Sequence, residues 1–189
     1  MAAQRSSPRK DEKQASTPAP AAVAPPSSAP AEQTDADLHR LGATLRTRTG
    51  EILAVTVDRT VGSGQVVDAL VQDSFERICK IATVAVARWM AGEGLDVTRE
   101  AGKETWYIFG QLAAHRGASL KEVARRCLIW RDCVAEVLRE NATQLETSPD
   151  ALAQALAMLQ LSLDVTLVGI CECFETERKR TDAELELRQ

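Results

Sequence analysis

From Val66 to Met90, apolar residues recur in helical steps through Val67, Leu70, Val71, Ile78, Ala82, Ala85 and Trp89, which predicts a long amphipathic helix. A second is predicted from about Val97, capped by Asp96 and closed by Gly117 in a left-handed position. Ser119 and Glu122 have the spacing of a capping box and open a third, which carries the stretch "WRDCVAEVLRE". Ser148-Pro149-Asp150 starts a fourth: a serine cap, proline at the first helical position and an acid in the first turn. Along it Leu152, Leu156, Leu159, Leu163, Leu167, Ile170 and Phe174 form a seam in steps of three and four. Upstream, "TDADLHRLGATLRTRTGEILAVTVDRTV" predicts one or two short helices, with Thr34 or Asp35 as cap and Gly50 as a break, before the stop at Gly62-Ser63-Gly64. No strand pattern competes, so the fold expected is an all-α bundle of five or six helices.

The last helix keeps its propensity beyond Glu175 but loses its apolar face, retaining only Leu185 and Leu187 among "TERKRTDAELELRQ". A helix that leaves the core in this way needs a partner strand of a short coiled coil or a following domain; otherwise it is a fraying terminus. Phe174 marks the expected exit.

One residue breaks the pattern of the Ser119 helix. With Cys127 at zero on a wheel of about 100° per residue, Leu120, Val123, Val134 and Leu138 fall in one stripe, and Arg131 falls inside it at about +40°. An unpaired buried guanidinium is costly. Arg131 is therefore expected to snorkel along Trp130, to pair with Asp164 or Glu104 as a register-fixing ion pair, or to bind an anion.

Composition changes the picture at the N-terminus. Six of the seven prolines lie in the first 34 residues, a segment without aromatics or a sustained apolar run, so residues 1–34 are expected to be a disordered tail. The tail lacks the uninterrupted apolar segment of a secretory signal, and no bilayer-length run is evident downstream, which points to a cytoplasmic protein without a membrane association. A net charge of -4 with both signs mixed along every segment removes the electrostatic footprint of a nucleic-acid binder. The five cysteines, an odd number, read as reduced thiols, and the Cys171/Cys173 pair diverges by roughly 200° on a helix, a poor metal grip.

Candidate chemistry is sparse. Trp106, Tyr107, Phe109 and Trp130 are expected in the core or around a small pocket, with Trp106 turned toward a second interface. His115 sits at a helix end, where a histidine suits the C-terminal dipole and where a haem ligand would also fit. There is no paired-carboxylate site, no nucleophile with a base and no phosphate loop, so catalysis is not expected, nor are a cofactor or a metal.

The stretches "TWYIFGQLAAHRGASLKEVARRCLIWRDCVAEVLRE" and "ALAQALAMLQLSLDVTLVGICECFETERKRTDAEL" resemble the N-terminal helical sensor domain of RsbR-type stressosome proteins, a non-haem globin fold. They are still more similar to the input segment of actinobacterial GGDEF and EAL signalling proteins. The resemblance covers roughly residues 38–189. It implies a globin-like bundle over 35–175 and a charged signalling helix over 176–189 that projects toward an effector such as a diguanylate cyclase. It further implies a dimeric, non-catalytic input domain for cyclic-di-GMP turnover or stress signalling. The chain departs from those multidomain proteins in carrying no GGDEF or EAL sequence. Packing and interface roles then fall to Trp106, Trp130, Arg131, Asp164 and Phe174. A haem or small-ligand sensor using His115, and a standalone partner-binding scaffold, are the alternatives.

Overall fold

The computed structural model describes residues 29–61, 69–115 and 119–188. Among them lie six α-helices and no strand: α1 (Ala29–Thr47), α2 (Thr49–Val61), α3 (Ala69–Arg88), α4 (Leu95–His115), α5 (Leu120–Gln144) and α6 (Pro149–Glu186). Gly62-Ser63-Gly64, Val67 and Gly117, with their expected roles, lie outside the described residues, as do residues 1–28. Helix α1 starts at Ala29 and so takes in residues 29–34, which composition had assigned to the tail.

Local chemistry sets the boundaries. At α5 the Ser119 hydroxyl accepts the Glu122 N–H at 3.1 Å. At α6 the Ser148 hydroxyl accepts the Ala151 N–H at 3.2 Å, and Pro149 fills a position whose N–H would have had no helical acceptor. The same turn is held from outside: Asp37 of α1, 1% exposed, accepts the Ser148 backbone N–H at 2.8 Å and also bonds Arg40 and Gln33. These bonds hold the Asp37 carboxyl down at about 2.

Between α3 and α4 the chain does not simply stop. Trp89–Glu93 forms a π-helical turn that ends through Gly92 (φ 89°) and Gly94 (φ 85°), left-handed positions that a side chain would strain. Helix α1 crosses this region at Gly42, where an added Cβ would lie 2.5 Å from the Ala87 carbonyl oxygen and 3.1 Å from Met90 Cβ.

The core centres on Phe75, Phe109, Leu41, Leu45, Ile52, Leu138, Leu159, Leu163 and Ile170. Phe75 and Phe109 meet with ring centroids 6.1 Å apart, tilted by 40°. Helix α6 touches α1, α3, α4 and α5, and its longest contact is with α4. Its buried face overlaps the leucine seam but is rotated from it toward the small residues. Ala151, Ala155, Ser162 and Gly169 are buried together with Leu159, Leu163 and Ile170, whereas Leu152, Leu156, Leu167 and Phe174 are only partly covered. Small residues let α4 come close, and closeness turns the helix. By length and composition α6 also contains an 18-residue stretch apolar enough to cross a bilayer, a third of it buried inside the bundle.

Candidate functional site

Three features of α6 set it apart: its seam with α4, its outer face and its exit.

In the seam, the Trp106 indole lies in a slot between two glycines. A Cβ on Gly169 would stand 2.2 Å from Trp106 Cδ2, and one on Gly102 would stand 2.9 Å from Cζ2. One turn on, a Cβ at Gly110 would meet Cys173 Cβ at 2.4 Å. The pairs 106/169 and 110/173 advance together, so α4 and α6 run in the same direction. Trp106 thus makes an internal contact with α6 while remaining partly exposed. Its Nε1–H is buried without a hydrogen-bond acceptor.

On the outer face, α5 and α6 meet in a polar bridge. Arg131, with 31% of its side chain exposed, donates to its neighbour Asp132 and reaches Gln160 of α6 at 3.4 Å; Gln160 donates to Asp164 at 2.7 Å. Asp164 is therefore linked to Arg131 through an amide and not as a direct ion pair. Glu104 is engaged elsewhere, by Arg77 of α3. The buried arginine of α5 is Arg126, 3% exposed. Its Nε donates to Glu122 at 3.1 Å, its guanidinium lies 5.4 Å from the Phe75 centroid, and its Nη1 has no partner. The reason is angular: the buried residues Val123, Arg126, Cys127, Trp130, Cys133, Val134 and Val137 centre the stripe near Trp130, which brings Arg126 in and leaves Arg131 at the edge. The groove at the bridge also takes in Arg59, Asp132, Glu136 and Arg139, and beside these charges stand exposed apolar side chains. Leu161 is 45% exposed, Val168 59% and Leu128 of α5 39%. Ala157, Leu161, Asp164 and Val168 lie within about 60° of one another on the helix, opposite the buried direction.

At the exit, Phe174 is half-buried and the Arg178 guanidinium stands 5.9 Å from its ring centroid. Glu177 is the last buried residue of α6 and accepts Arg180 at 3.2 Å. The helix then continues without a break to Glu186, with Leu185 and Leu187 exposed.

Trp130 belongs to the core: it is 5% exposed and its Nε1–H donates to Thr83 Oγ1 at 3.0 Å. Beside it a cavity of about 20 Å³, lined in part by Phe75, Phe109, Cys79 and Cys127, has room for a water but not for a macrocycle. Burial pushes the Cys127 thiol up to about 12 and the Cys79 thiol well above its ordinary value, so both stay protonated and unreactive at neutral pH. All five cysteines are free thiols. No cluster of potential metal ligands occurs among the described residues. His115 ends α4, and its side chain lies outside the described residues.

Sequence periodicity missed three elements of this arrangement. Asp37 and Arg126 look like ordinary helical charges, and the π turn has no periodic signature. The pair Gly92 and Gly94 was the one available signal for the turn. Comparison with protein-family models, curated proteins and solved structures finds no match.

Proposed function

We propose that this chain is a non-catalytic sensory or regulatory input domain, a globin-like bundle of the RsbR type, that works as a homodimer in the cytoplasm and passes a change in packing along α6 to an output module. That module would act in cyclic-di-GMP turnover or stress signalling, as the resemblance implies. The observation that carries the reading is α6 itself, one unbroken helix of 38 residues that packs on four other helices and then leaves the core as a charged rod. A rigid element shared by the whole core and the exit is what mechanical transmission requires.

The outer face supports the dimer. A helix apolar on both faces is one whose second face has a cover, and here the self-complementary cover is another copy. Arg131 and Asp164 sit about one turn apart along the face, so a two-fold axis between them sets each against its opposite in the partner.

The test is light scattering coupled to size exclusion on the full chain and on a Leu161→Glu/Val168→Glu variant. Both positions are exposed, so the variant keeps its fold. The expected result is a dimer at micromolar concentration that becomes a folded monomer in the variant. A monomeric full chain would overturn the reading.

A further inference from the structure

We propose that the cleft between α1, the π turn and the first half of α6 is a binding site for a small organic cation carrying an aromatic or alkyl-ammonium group. The inference deepens the input-domain reading and rests on it for its regulatory meaning, though not for binding itself.

The cleft has a volume of about 440 Å³, within the usual range for small-molecule sites. Three elements wall it. Asp35 and His39 come from α1, Trp89 and Met90 from the π turn, and Gln154 and Met158 from α6. Asp35 and His39 are one turn apart, as are Gln154 and Met158, so each helix presents a matched pair to the same space.

The lining selects by chemistry. Trp89 is half-buried and offers an aromatic surface, and the half-buried Met158 adds a polarizable thioether. Among the described residues lining the cleft, Asp35 is the one acid and no lysine or arginine occurs, so the local charge is negative. An aromatic face, soft sulfur and a single counter-charge together favour a weakly hydrated organic cation over an anion or a bare metal ion. His39 and Gln154 supply hydrogen-bonding groups that fix orientation.

The site is also built on a fixed frame. The close passage of α1 at Gly42 seats it against Ala87 and Met90, directly under the cleft. Gly92 and Gly94, both at positive φ, form part of the wall and let the backbone turn there without side chains filling the space. The turn closes α3 and breaks at Gly92, so the chain changes direction immediately after Trp89 and Met90. Here the turn places Trp89 and Met90 on a shared wall. Met158 connects this end of the molecule to the other: from it to Glu177 the same helix runs on for roughly 29 Å at 1.5 Å per residue. A ligand seated against Met158 and Trp89 bears on the element that leaves the core.

The probe is phenyltrimethylammonium chloride, titrated into the full chain and followed by calorimetry, with benzoate and tert-butylbenzene as the anionic and neutral counterparts. Saturable binding of the cation is expected, with the two counterparts at least about fivefold weaker. Asp35→Asn and Met158→Ala are each expected to weaken it about five- to tenfold, and Trp89→Leu at least as much. Asp35 is exposed, so its variant reports on binding whether or not the Trp89 variant folds, which circular dichroism checks. No saturable binding at 10 mM probe, equal binding of benzoate, or affinity unmoved by Asp35→Asn overturns the site. Those outcomes leave the dimer measurement untouched, so a failed site and a failed input-domain reading give different results. Binding without any change in hydrogen exchange along α6 beyond Glu177 removes the regulatory role alone.

Discussion

At the scale of single residues, this protein depends on positions where a side chain is absent. Gly169 leaves the space that the Trp106 indole fills, and nothing larger fits without moving either the indole or the helix. Gly169→Ala is expected to lower stability by about 1–3 kcal/mol, the usual cost of overpacking, measured by urea unfolding. In a Trp106→Leu background the added cost of Gly169→Ala should shrink, since the clash partner is gone. Equal costs in the two backgrounds would show that the indole is not what Gly169 accommodates. Asp37 acts through charge. Its carboxyl is held down at about 2 by the Ser148 N–H, Arg40 and Gln33, against an ordinary value of about 3.9 in an unfolded chain. A depressed acid contributes stability that is complete above the unfolded value and is lost as pH falls through the folded one. Asp37→Asn is accordingly expected to be less stable than the parent at neutral pH, with the difference narrowing between about pH 4 and pH 2. A gap that stays constant down to pH 2 would mean that the anchor acts through shape rather than charge.

At the scale of elements, the helices were legible because their signals are local. The Ser119 and Ser148 caps need only a few neighbouring residues to be read, and both hold in the structure. The rotation of each helix was less legible, because it depends on what the neighbour brings. The leucine seam of α6 predicts a leucine face, but α4 carries glycines and a tryptophan, so the buried face moved toward alanine and glycine. Arg131 lies at the edge of the stripe and Arg126 inside it for the same reason: the wheel gives the stripe's width, and its centre is set by Trp130 against α3. Trp106 was legible as an unusual position but not as an inward one. The exit of α6 also sits slightly later than the composition implied, since Glu177 is still buried. A chain ending at Thr181 loses no buried residue and is expected to unfold within about 0.5 kcal/mol of the parent. A chain ending at Phe174 gives up Glu177 and the last turn against the core, and its melting temperature should fall by several degrees, on the order of 1–2 kcal/mol. Calorimetry on the two truncations separates them; equal losses would place the end of the core elsewhere.

At the scale of the whole molecule, the two ends of α6 face different tasks. One end lines a cleft with α1 and the π turn, the other leaves the bundle, and the outer face between them exposes Leu161 and Val168 beside the polar bridge to α5. A monomer would expose Leu128, Leu161 and Val168 around the Arg131–Gln160–Asp164 bridge, a combination better explained by a partner surface than by solvent. In the proposed dimer, association would contribute to stability through mass action, because such an interface exists only in the folded state. Raising the protein concentration a hundredfold is expected to raise the melting temperature of the parent by a few degrees and to leave that of Leu161→Glu/Val168→Glu unchanged. Charge reversal gives a finer check. Arg131→Glu or Asp164→Arg alone sets like charges together across the two-fold and should weaken the dimer about tenfold or more, whereas the double reversal restores the opposition and most of the affinity. Recovery in the double variant is not expected from damage within one chain, where Arg131 and Asp164 meet only through Gln160. Additive losses would show instead that the bridge serves the fold of each copy and that the dimer, if present, uses another face.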